Sequence, residues 1–215
     1  MNFELRPGPV FRRWDGGTAI VAAPGPSLTK EVAAACRGHR IVAVQDAYRL
    51  LPFAEALYGC DAKWWDHHGD CDGFAGEKWS SHEDGTNDKR QQFLRLRLHI
   101  VAGRGGKGFS VDPHCIHYGC NSGFQAVNLA ILFGAARIVL VGFDMREVNG
   151  KRHFFGDHPP GFTRVSDYRQ FISAFEEAAK AMPDGVEIVN ATPGSALECF
   201  PMAELSEALD IAEAA

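Results

Sequence analysis

The chain has 215 residues, of which 46% are hydrophobic and 11% aromatic, and its formal net charge is -5 at pH 7. This length supplies one well-filled core but not two comfortable ones, so we expect a single domain over residues 1–215. The 22 Lys and Arg residues are scattered, which argues against a broadly basic surface that coats nucleic acid and leaves only a local contact with DNA open.

Membrane and disulfide classes are also disfavoured by the sequence. No stretch approaches the ~20 apolar residues that a membrane-spanning helix needs. Six cysteines in this length are too few and too unevenly spaced for a disulfide scaffold. We therefore expect a soluble, cytoplasmic protein with no membrane partner, and a homo-oligomer stays open.

Strands and helices alternate along the chain. Strands are predicted where short β-branched runs are bounded by Gly, Asp or Asn, and helices where apolar residues recur on one face. The order is strand 18–23, helix 27–37, strands 40–45 and 55–59, helix 121–135 with Gly134 as C-cap, strand 137–143, helix 166–182, strand 186–190 and helix 202–215. This alternation predicts an α/β, Rossmann-like fold, with a mainly parallel sheet and helices on both faces.

Residues 69–118 interrupt this pattern. They are polar and rich in Gly, except that 93–101 alternates like a half-buried edge strand and 102–113 has the composition of a flexible loop. Two interpretations follow: an exposed hairpin with mobile loops, or a small lid-like insertion over the ligand crevice that offers Arg104 and Lys107 to an anion. Residues 145–165 form a second candidate lid or loop.

Polar groups gather where the predicted strands end, which is where such sheets bind ligands. Asp46, Asp61 and Asp144 all lie there. A carboxylate in this place orients a ribose hydroxyl, holds a divalent ion or caps the next helix. Capping is the simplest role for each one alone, but we expect at least one to bind ligand. For a metal, Mg²⁺ or Mn²⁺ held by Asp61 or Asp144 through phosphate oxygens is the preferred interpretation.

Structural zinc is a competing interpretation. Residues 60–71 and 114–120 together hold four Cys and four His, but their spacing matches no C-x-x-C pair. The first of these stretches also contains Trp64 and Trp65. One of them is expected in the core, and the other is available to stack on a base or sugar.

Two helix entrances are candidate phosphate sites, because a helix N-terminus leaves amides unpaired and carries partial positive charge. The first, Pro24-Gly25-Pro26-Ser27, has neither the G-x-G-x-x-G fingerprint nor the Lys of a P-loop. Gly25 lets the backbone approach a phosphate, and Ser27 can cap the helix and present its hydroxyl. The alternative is a rigid turn. The second entrance, residues 119–124, contains Asn121, Ser122 and Gly123.

Four motifs carry a resemblance to known families: APGPSLT at 23–29, YGCD at 58–61, NSGFQAVNLAILFGAARIVLVGFDM at 121–145 and NATPGSALECFP at 190–201. Over almost the whole chain, the sequence resembles a family of phage-encoded proteins. More distantly it resembles the bacterial lipooligosaccharide sialyltransferases. It is similar at the same distance to the 6-hydroxymethylpterin diphosphokinase-like family, which includes flagellin-glycosylation accessory factors.

The resemblance to the sialyltransferases implies a nucleotide-binding site. In that family the Gly-Pro-Ser turn and the Ser/Thr-Gly helix entrance hold the nucleotide of a CMP-sugar, and strand-end Asn residues hold its ribose and base. The corresponding residues here are Gly25, Pro26, Ser27, Asn121, Ser122 and Gly123 for the nucleotide, with Asp46 and Asp61 at the Asn positions. Carboxylates there would repel donor phosphates unless they face the ribose or bind Mg²⁺, which argues against carrying over the CMP-sugar specificity.

The same family places a general-base His in the loop before a late helix. Residues 151–162 occupy that loop here and supply His153 and His158. A His that titrates near neutral pH suits the removal of a proton from an acceptor hydroxyl. His158 ranks first, because Asp157 precedes it and two prolines that stiffen the loop follow it. Arg146, Lys151 and Arg152 are candidates for neutralising phosphate charge.

Together these patterns predict a nucleotide-dependent, glycosyltransferase-like enzyme. It would move a sugar from a small-molecule nucleotide or nucleotide-sugar donor to a hydroxyl acceptor. Two alternatives stay open: a diphosphokinase that depends on Mg²⁺ and ATP, and a non-catalytic nucleotide-binding or virion-associated protein.

Overall fold

A single parallel sheet organises the protein. The computed structural model describes residues 7–82, 95–158 and 166–210, apart from the side chains of His82 and Asp210. Within these ranges eight strands form one sheet in the order β6-β5-β4-β3-β2-β1-β7-β8, and every neighbouring pair is parallel. The strands are β1 (Thr18–Ala22), β2 (Arg40–Val44), β3 (Ala56–Tyr58), β4 (Glu77–His82), β5 (His99–Arg104), β6 (Cys115–His117), β7 (Arg137–Val141) and β8 (Glu187–Asn190).

Helices connect most of these strands. They are α1 (Lys30–Ala35), α2 (Ala62–His68), α3 (Ser122–Phe133), α4 (Tyr168–Ala179) and α5 (Leu205–Asp210), and a 3-10 helix at Gln45–Arg49 follows β2 directly. None of the helices in the described ranges is long and apolar enough to cross a membrane. All six cysteines are free thiols, which confirms that the chain is not a disulfide scaffold.

Alternate residues of the central strand face two separate hydrophobic cores. Ala19 and Val21 of β1 belong to one core, which includes α3, whereas Ile20 and Ala22 belong to the other, which includes Ala33 of α1 and both tryptophans of α2. A strand that is buried on both faces needs apolar side chains at every position, and this explains the continuous β-branched runs in the sequence. The predicted α/β, Rossmann-like fold with helices on both faces is therefore confirmed.

The structure corrects the predictions for residues 69–118. Strands β4, β5 and β6 lie in this stretch and widen the parallel sheet, so the exposed hairpin and the lid are both wrong for these strands. Residues 95–96 are helical rather than part of a strand, and β5 lies between β4 and β6 instead of at an edge. The prediction of a second lid at 145–165 falls partly on residues 159–165, which lie outside the described residues, and it stays a prediction.

Helix α3 is buried along its whole length. Every residue from Ser122 to Phe133 is buried, which accounts for its wide apolar face in the sequence. Asn121 caps its N-terminus, and the predicted C-cap, Gly134, adopts a left-handed conformation with φ 101°. The helix therefore begins and ends at positions that the sequence specifies.

A crevice forms where the strand order reverses. Strands β2 and β3 follow β1 on one side of the sheet, whereas β7 lies on its other side. The loops that leave β1 and β7 run in different directions from neighbouring strand ends, which opens the crevice that ligands of this fold class use.

The junction between β1 and β7 requires glycine at position 142. Gly142 has φ +72°, and a Cβ atom there would overlap the carbonyl oxygen of Ala23. Gly38 has a similar φ of +85° but no atom within 4 Å of such a Cβ. A comparison of alanine substitutions at the two glycines therefore separates the cost of the backbone conformation from the cost of the steric clash.

We expect Gly142→Ala to destabilise the protein clearly more than Gly38→Ala. The left-handed conformation alone costs an L-residue about 1–2 kcal/mol, and the overlap at position 142 adds about 1–3 kcal/mol through forced backbone shifts. Urea unfolding of both variants measures the difference. Equal losses of unfolding free energy would contradict the close approach of the β1 and β7 exits.

Candidate functional site

A cavity of about 1100 Å³ lies at the carboxyl ends of β1, β2, β3 and β7. Its walls also include the N-terminus of α3, part of the segment 152–158 and the first turn of α4. The cavity therefore lies at the carboxyl ends of the strands, where the sequence predicts a ligand, and at the reversal of strand order. Of the site residues predicted from the sequence, those that line the cavity are Gly25, Asp61, Asn121, Ser122, Gly123, Asp144, His153 and His158.

The first helix entrance is occupied by a carboxylate of the protein itself. The Ser27 hydroxyl donates to Asp144 Oδ2 at 2.8 Å, and the Ser27 amide donates to the two carboxylate oxygens at 3.2 and 3.3 Å. Asp144 is buried, with 2% of its surface exposed. The amide and hydroxyl expected to bind a phosphate therefore already bind an anion, and neither Ser27 nor Pro26 is among the described residues that line the cavity.

Ser27 is also not the cap of helix α1. Thr29 takes this role, and its hydroxyl accepts from the Val32 amide at 3.3 Å. The prediction that Ser27 caps the helix is wrong, because the hydroxyl of Ser27 is used by a residue 117 positions away. Gly25 remains essential to the arrangement, since a Cβ there would overlap the Asp144 carboxylate and the Gly142 carbonyl oxygen.

The second helix entrance opens into the cavity. Asn121 Oδ1 accepts from the Phe124 amide at 2.8 Å, and the Asn121 carbonyl accepts from the Gln125 amide. The first-turn amides of Ser122 and Gly123 have no partner within the helix. Both residues line the cavity, so α3, a helix of twelve residues, directs its positive end toward the space where a ligand would lie.

Ser122 ties this entrance to the end of β3. Its hydroxyl accepts from the Cys60 amide at 3.2 Å and lies 3.1 Å from Cys60 Sγ. The hydroxyl predicted to hold a nucleotide therefore also has a structural role. Residue Ser122 is 7% exposed and lines the cavity.

Asp46 is buried beside the cavity rather than in it. The Trp64 indole donates to Asp46 Oδ2 at 2.7 Å, and Arg49 lies 3.4 Å from Asp46 Oδ1. The residue is 2% exposed and is absent from the described cavity lining. The expectation that Asp46 contacts a ribose stays a prediction; in the structure its carboxylate supports Trp64, which does line the cavity.

Asp61 lines the cavity and caps helix α2. Its Oδ1 accepts from the Lys63 amide at 2.8 Å, as capping predicts for a strand-end aspartate. Within the described residues there is no group of three or more His, Cys, Asp or Glu side chains that could hold a metal ion. The zinc interpretation therefore has no support there. A divalent ion on Asp61 or Asp144 would depend on donor oxygens, and it stays a prediction.

Both Trp64 and Trp65 pack in the core. Their exposed fractions are 1% and 0%, and the Trp65 indole donates to the Gly59 carbonyl at 2.8 Å. Trp64 lines the cavity although its ring is almost fully buried, whereas Trp65 is not among the described lining residues, so stacking of a base or sugar on one of them stays a prediction. The aromatic side chains that sequence reasoning missed are Tyr168 and Phe171, which line the cavity from the first turn of α4.

The two histidines lie together at the cavity. The rings of His153 and His158 have centroids 4.6 Å apart, and His153 stacks on Phe155 with an interplanar angle of 7°. His153 Nδ1 lies 3.3 Å from the Gly156 carbonyl oxygen. Burial, and then the neighbouring His158, lower the pKa of His153 below its usual range, which favours the neutral ring.

Among the described residues, two Lys or Arg side chains line the cavity. Arg152 does so as predicted, and Lys63 was missed, because a Lys in a helix gives no signal in one sequence. Arg152 is paired with Glu147 at 2.8 Å. The other basic candidates, Arg104, Lys107, Arg146 and Lys151, are not among the described residues that line the cavity.

Three of the six non-glycine residues that have a positive φ in the described ranges line the cavity. Gln45, Cys120 and Met145 have φ values of 46°, 64° and 51°, a region that non-glycine residues rarely adopt. Strain of this kind persists only where the surrounding structure enforces it, and it is frequent at functional sites. Such strain depends on tertiary packing, so these positions could not be predicted from the sequence.

A glycosyltransferase has the same fold. The structure of MAf glycosyltransferase from Magnetospirillum magneticum AMB-1 matches with a TM-score of 0.62 and 12% sequence identity. The match covers 96% of this chain and 39% of that chain, so this chain spans less than half of that protein's length. At this identity the likeness concerns the fold. No protein-family model and no curated protein sequence matches the chain.

The contact between Ser27 and Asp144 predicts that removal of the Ser27 hydroxyl destabilises the protein more than removal of the nearby Thr29 hydroxyl. We expect Ser27→Ala to lower the free energy of unfolding by about 1.5–3 kcal/mol, because a buried carboxylate loses a hydrogen-bond donor. The matched variant Thr29→Ala removes a helix cap and costs about 1 kcal/mol. Urea unfolding compares the two. A smaller loss for Ser27→Ala than for Thr29→Ala would contradict the role assigned to the carboxylate.

Proposed function

We propose that the protein is a glycosyltransferase-like enzyme that transfers a sugar from a nucleotide donor to a hydroxyl acceptor. The observation that carries the proposal is the joint presence, in one cavity, of the open α3 entrance and the His153–His158 pair. An anion-binding helix end and a proton acceptor are the two elements that this transfer needs. The fold shared with a glycosyltransferase supports the reaction class.

The donor phosphate binds at α3 in this proposal. The amides of Ser122 and Gly123 and the ammonium of Lys63 supply donors and positive charge on one side of the cavity. We do not assign this role to the α1 entrance, because the buried Asp144 carboxylate already accepts from Ser27 there and would repel a second anion. Of the two entrances that the sequence suggested, the proposal therefore uses the one at α3.

The aromatic pair of α4 suits a ring of the donor or acceptor. The Tyr168 and Phe171 rings are perpendicular, with centroids 6.4 Å apart, and both residues line the cavity. Burial raises the pKa of Tyr168 above its usual range, so its phenol remains a hydrogen-bond donor at neutral pH. Apolar faces with a polar tip are typical contacts for a base or a sugar ring.

The contacts favour His153 over His158 as the general base, which reverses the ranking from sequence. The Gly156 carbonyl can only accept, so its bond to Nδ1 requires the proton on that nitrogen and leaves Nε2 as an acceptor. The lowered pKa keeps the ring neutral at physiological pH. Both properties are those that a base needs before it removes a proton.

The proposed step is a direct displacement. The acceptor oxygen forms a bond to the anomeric carbon of the donor sugar while the bond from that carbon to the donor phosphate oxygen breaks. The hydroxyl proton passes to Nε2 of His153, and the electron pair leaves with the nucleotide phosphate. The negative charge that develops on the phosphate is stabilised by the amides and positive end of α3.

The proposal predicts donor-dependent turnover that requires His153. We would measure donor hydrolysis and transfer for a panel of nucleotide monophosphate and diphosphate sugars, each with and without Mg²⁺. We expect His153→Ala to lower kcat by about 10²–10⁴-fold, the usual contribution of a general base. In the unmodified protein, kcat should rise with pH as His153 loses its proton, with a midpoint below the usual histidine value of about 6.5.

The control is His114→Ala, since His114 is exposed and absent from the described cavity lining. Full activity of both His153→Ala and His158→Ala would show that the base is misassigned. Activity only with ATP and Mg²⁺ would favour the diphosphokinase. Failure of every nucleotide to bind would overturn the enzyme proposal and leave a non-catalytic role.

A further inference from the structure

Asp46 connects three side chains behind the cavity wall. Its carboxylate accepts from Trp64 at 2.7 Å, lies 3.4 Å from Arg49 and lies 3.5 Å from His68 Nε2. His68 is itself held, because its ring stacks on Trp64 at 4.3 Å and its Nδ1 lies 3.2 Å from the Tyr48 hydroxyl. A buried carboxylate of this kind is retained only with such partners.

Arg49 extends from this carboxylate to the segment that carries the histidines. Its guanidinium carbon lies 5.5 Å from the centre of the Phe155 ring and 5.9 Å from that of Phe154. These distances are in the range of cation–π contacts. Phe155 in turn stacks on His153 with ring centroids 5.0 Å apart. A continuous series of contacts therefore leads from Asp46 through Arg49 and Phe155 to His153.

The backbone of the same segment is attached to the end of β1. The Phe154 amide donates to the Pro24 carbonyl at 3.0 Å, and the Phe154 side chain packs partly buried against the core that contains α1 and α2. The segment is thus attached through its backbone next to the β1 exit, through the Phe154 side chain at the core, and through the contact with Arg49. The backbone attachment fixes its position along the sheet edge, and the contact with Arg49 fixes the aromatic and histidine rings.

We infer that Asp46 and Arg49 are positioning residues that together hold segment 153–158 over the cavity. This inference rests on the proposed function, in which His153 acts as the base. The two residues touch neither donor nor acceptor in this arrangement. They determine where the rings of the segment lie, so that the base and the α3 entrance keep a fixed separation.

The charges around the histidines support this role. His68 faces Asp46, His67, Arg49 and His158, and His153 faces His158, Asp46 and Asp157. Burial lowers the pKa of both histidines, and the Asp46 carboxylate partly opposes that effect. The negative charge of Asp46 therefore offsets part of the repulsion between the neighbouring imidazoles when they are protonated.

The contact from Arg49 to the segment is tested by hydrogen exchange of the Phe154 amide. We expect Arg49→Gln to accelerate exchange roughly two- to fivefold, as the loss of a partly exposed cation–π contact would. The matched control is Arg37→Gln, because the Arg37 guanidinium lies 4.0 Å from the Phe53 ring and neither residue is in the described cavity lining. Equal exchange of Phe154 in both variants would overturn the inference.

Histidine titration by NMR tests the carboxylate with a variant that keeps the fold. In Asp46→Asn the amide oxygen can still accept from Trp64, but the negative charge is lost. We expect the pKa of His68 and of His153 to fall in this variant, and the pKa of His68 to rise in Arg49→Gln, which removes a positive charge. Unchanged titration of both histidines in both variants would contradict the inference.

These measurements need no substrate, so they separate the two proposals. If Phe154 exchange and histidine titration change as expected but no donor is turned over, the positioning contacts stand and the proposed function fails. If turnover depends on His153 but the Arg49 and Asp46 variants keep the unmodified pH profile and kcat, the proposed function stands and the positioning role is wrong.

Discussion

The carboxylate of Asp144 cannot remain buried without hydrogen-bond donors, and the loop that leaves β1 supplies them. The amide and hydroxyl of Ser27 both donate to it, and glycine at positions 25 and 142 allows the two chain segments to approach. This contact joins the neighbouring exits of β1 and β7 at the reversal of strand order. It also places a protein carboxylate at the α1 entrance, whereas the α3 entrance lines the cavity.

Much of the fold could be predicted, because the central strands are buried on both faces and therefore β-branched throughout. Runs such as 137–143 and a helix that ends at Gly134 have local signals that tertiary structure does not override. Strands β4 and β6 had no such signal. The first contains Lys78 and two serines, and the second has only three residues. They form because a neighbouring strand offers a free edge, which is a property of the sheet rather than of their sequences.

The sequence predicted which loops surround the site, but it did not predict which side chains in those loops bind each other. Strand ends in a parallel sheet converge, so the positions of Asp61, Asp144 and the α3 entrance followed from the order of elements. The partners of the carboxylates did not. Asp144 binds a residue 117 positions away and Asp46 binds Trp64, and only the packed structure determines which carboxylate faces the cavity and which lies behind it.

The most direct test of this account is an NMR titration of the backbone amides with a nucleoside monophosphate, the phosphate-bearing part that any such donor shares. We expect the chemical shifts of the Ser122 and Gly123 amides to change most, since they lie at the N-terminus of α3 in the cavity wall. The Ser27 amide should change little, because Asp144 already accepts from it. A titration in which Ser27 shifts strongly and the α3 amides do not would contradict the account.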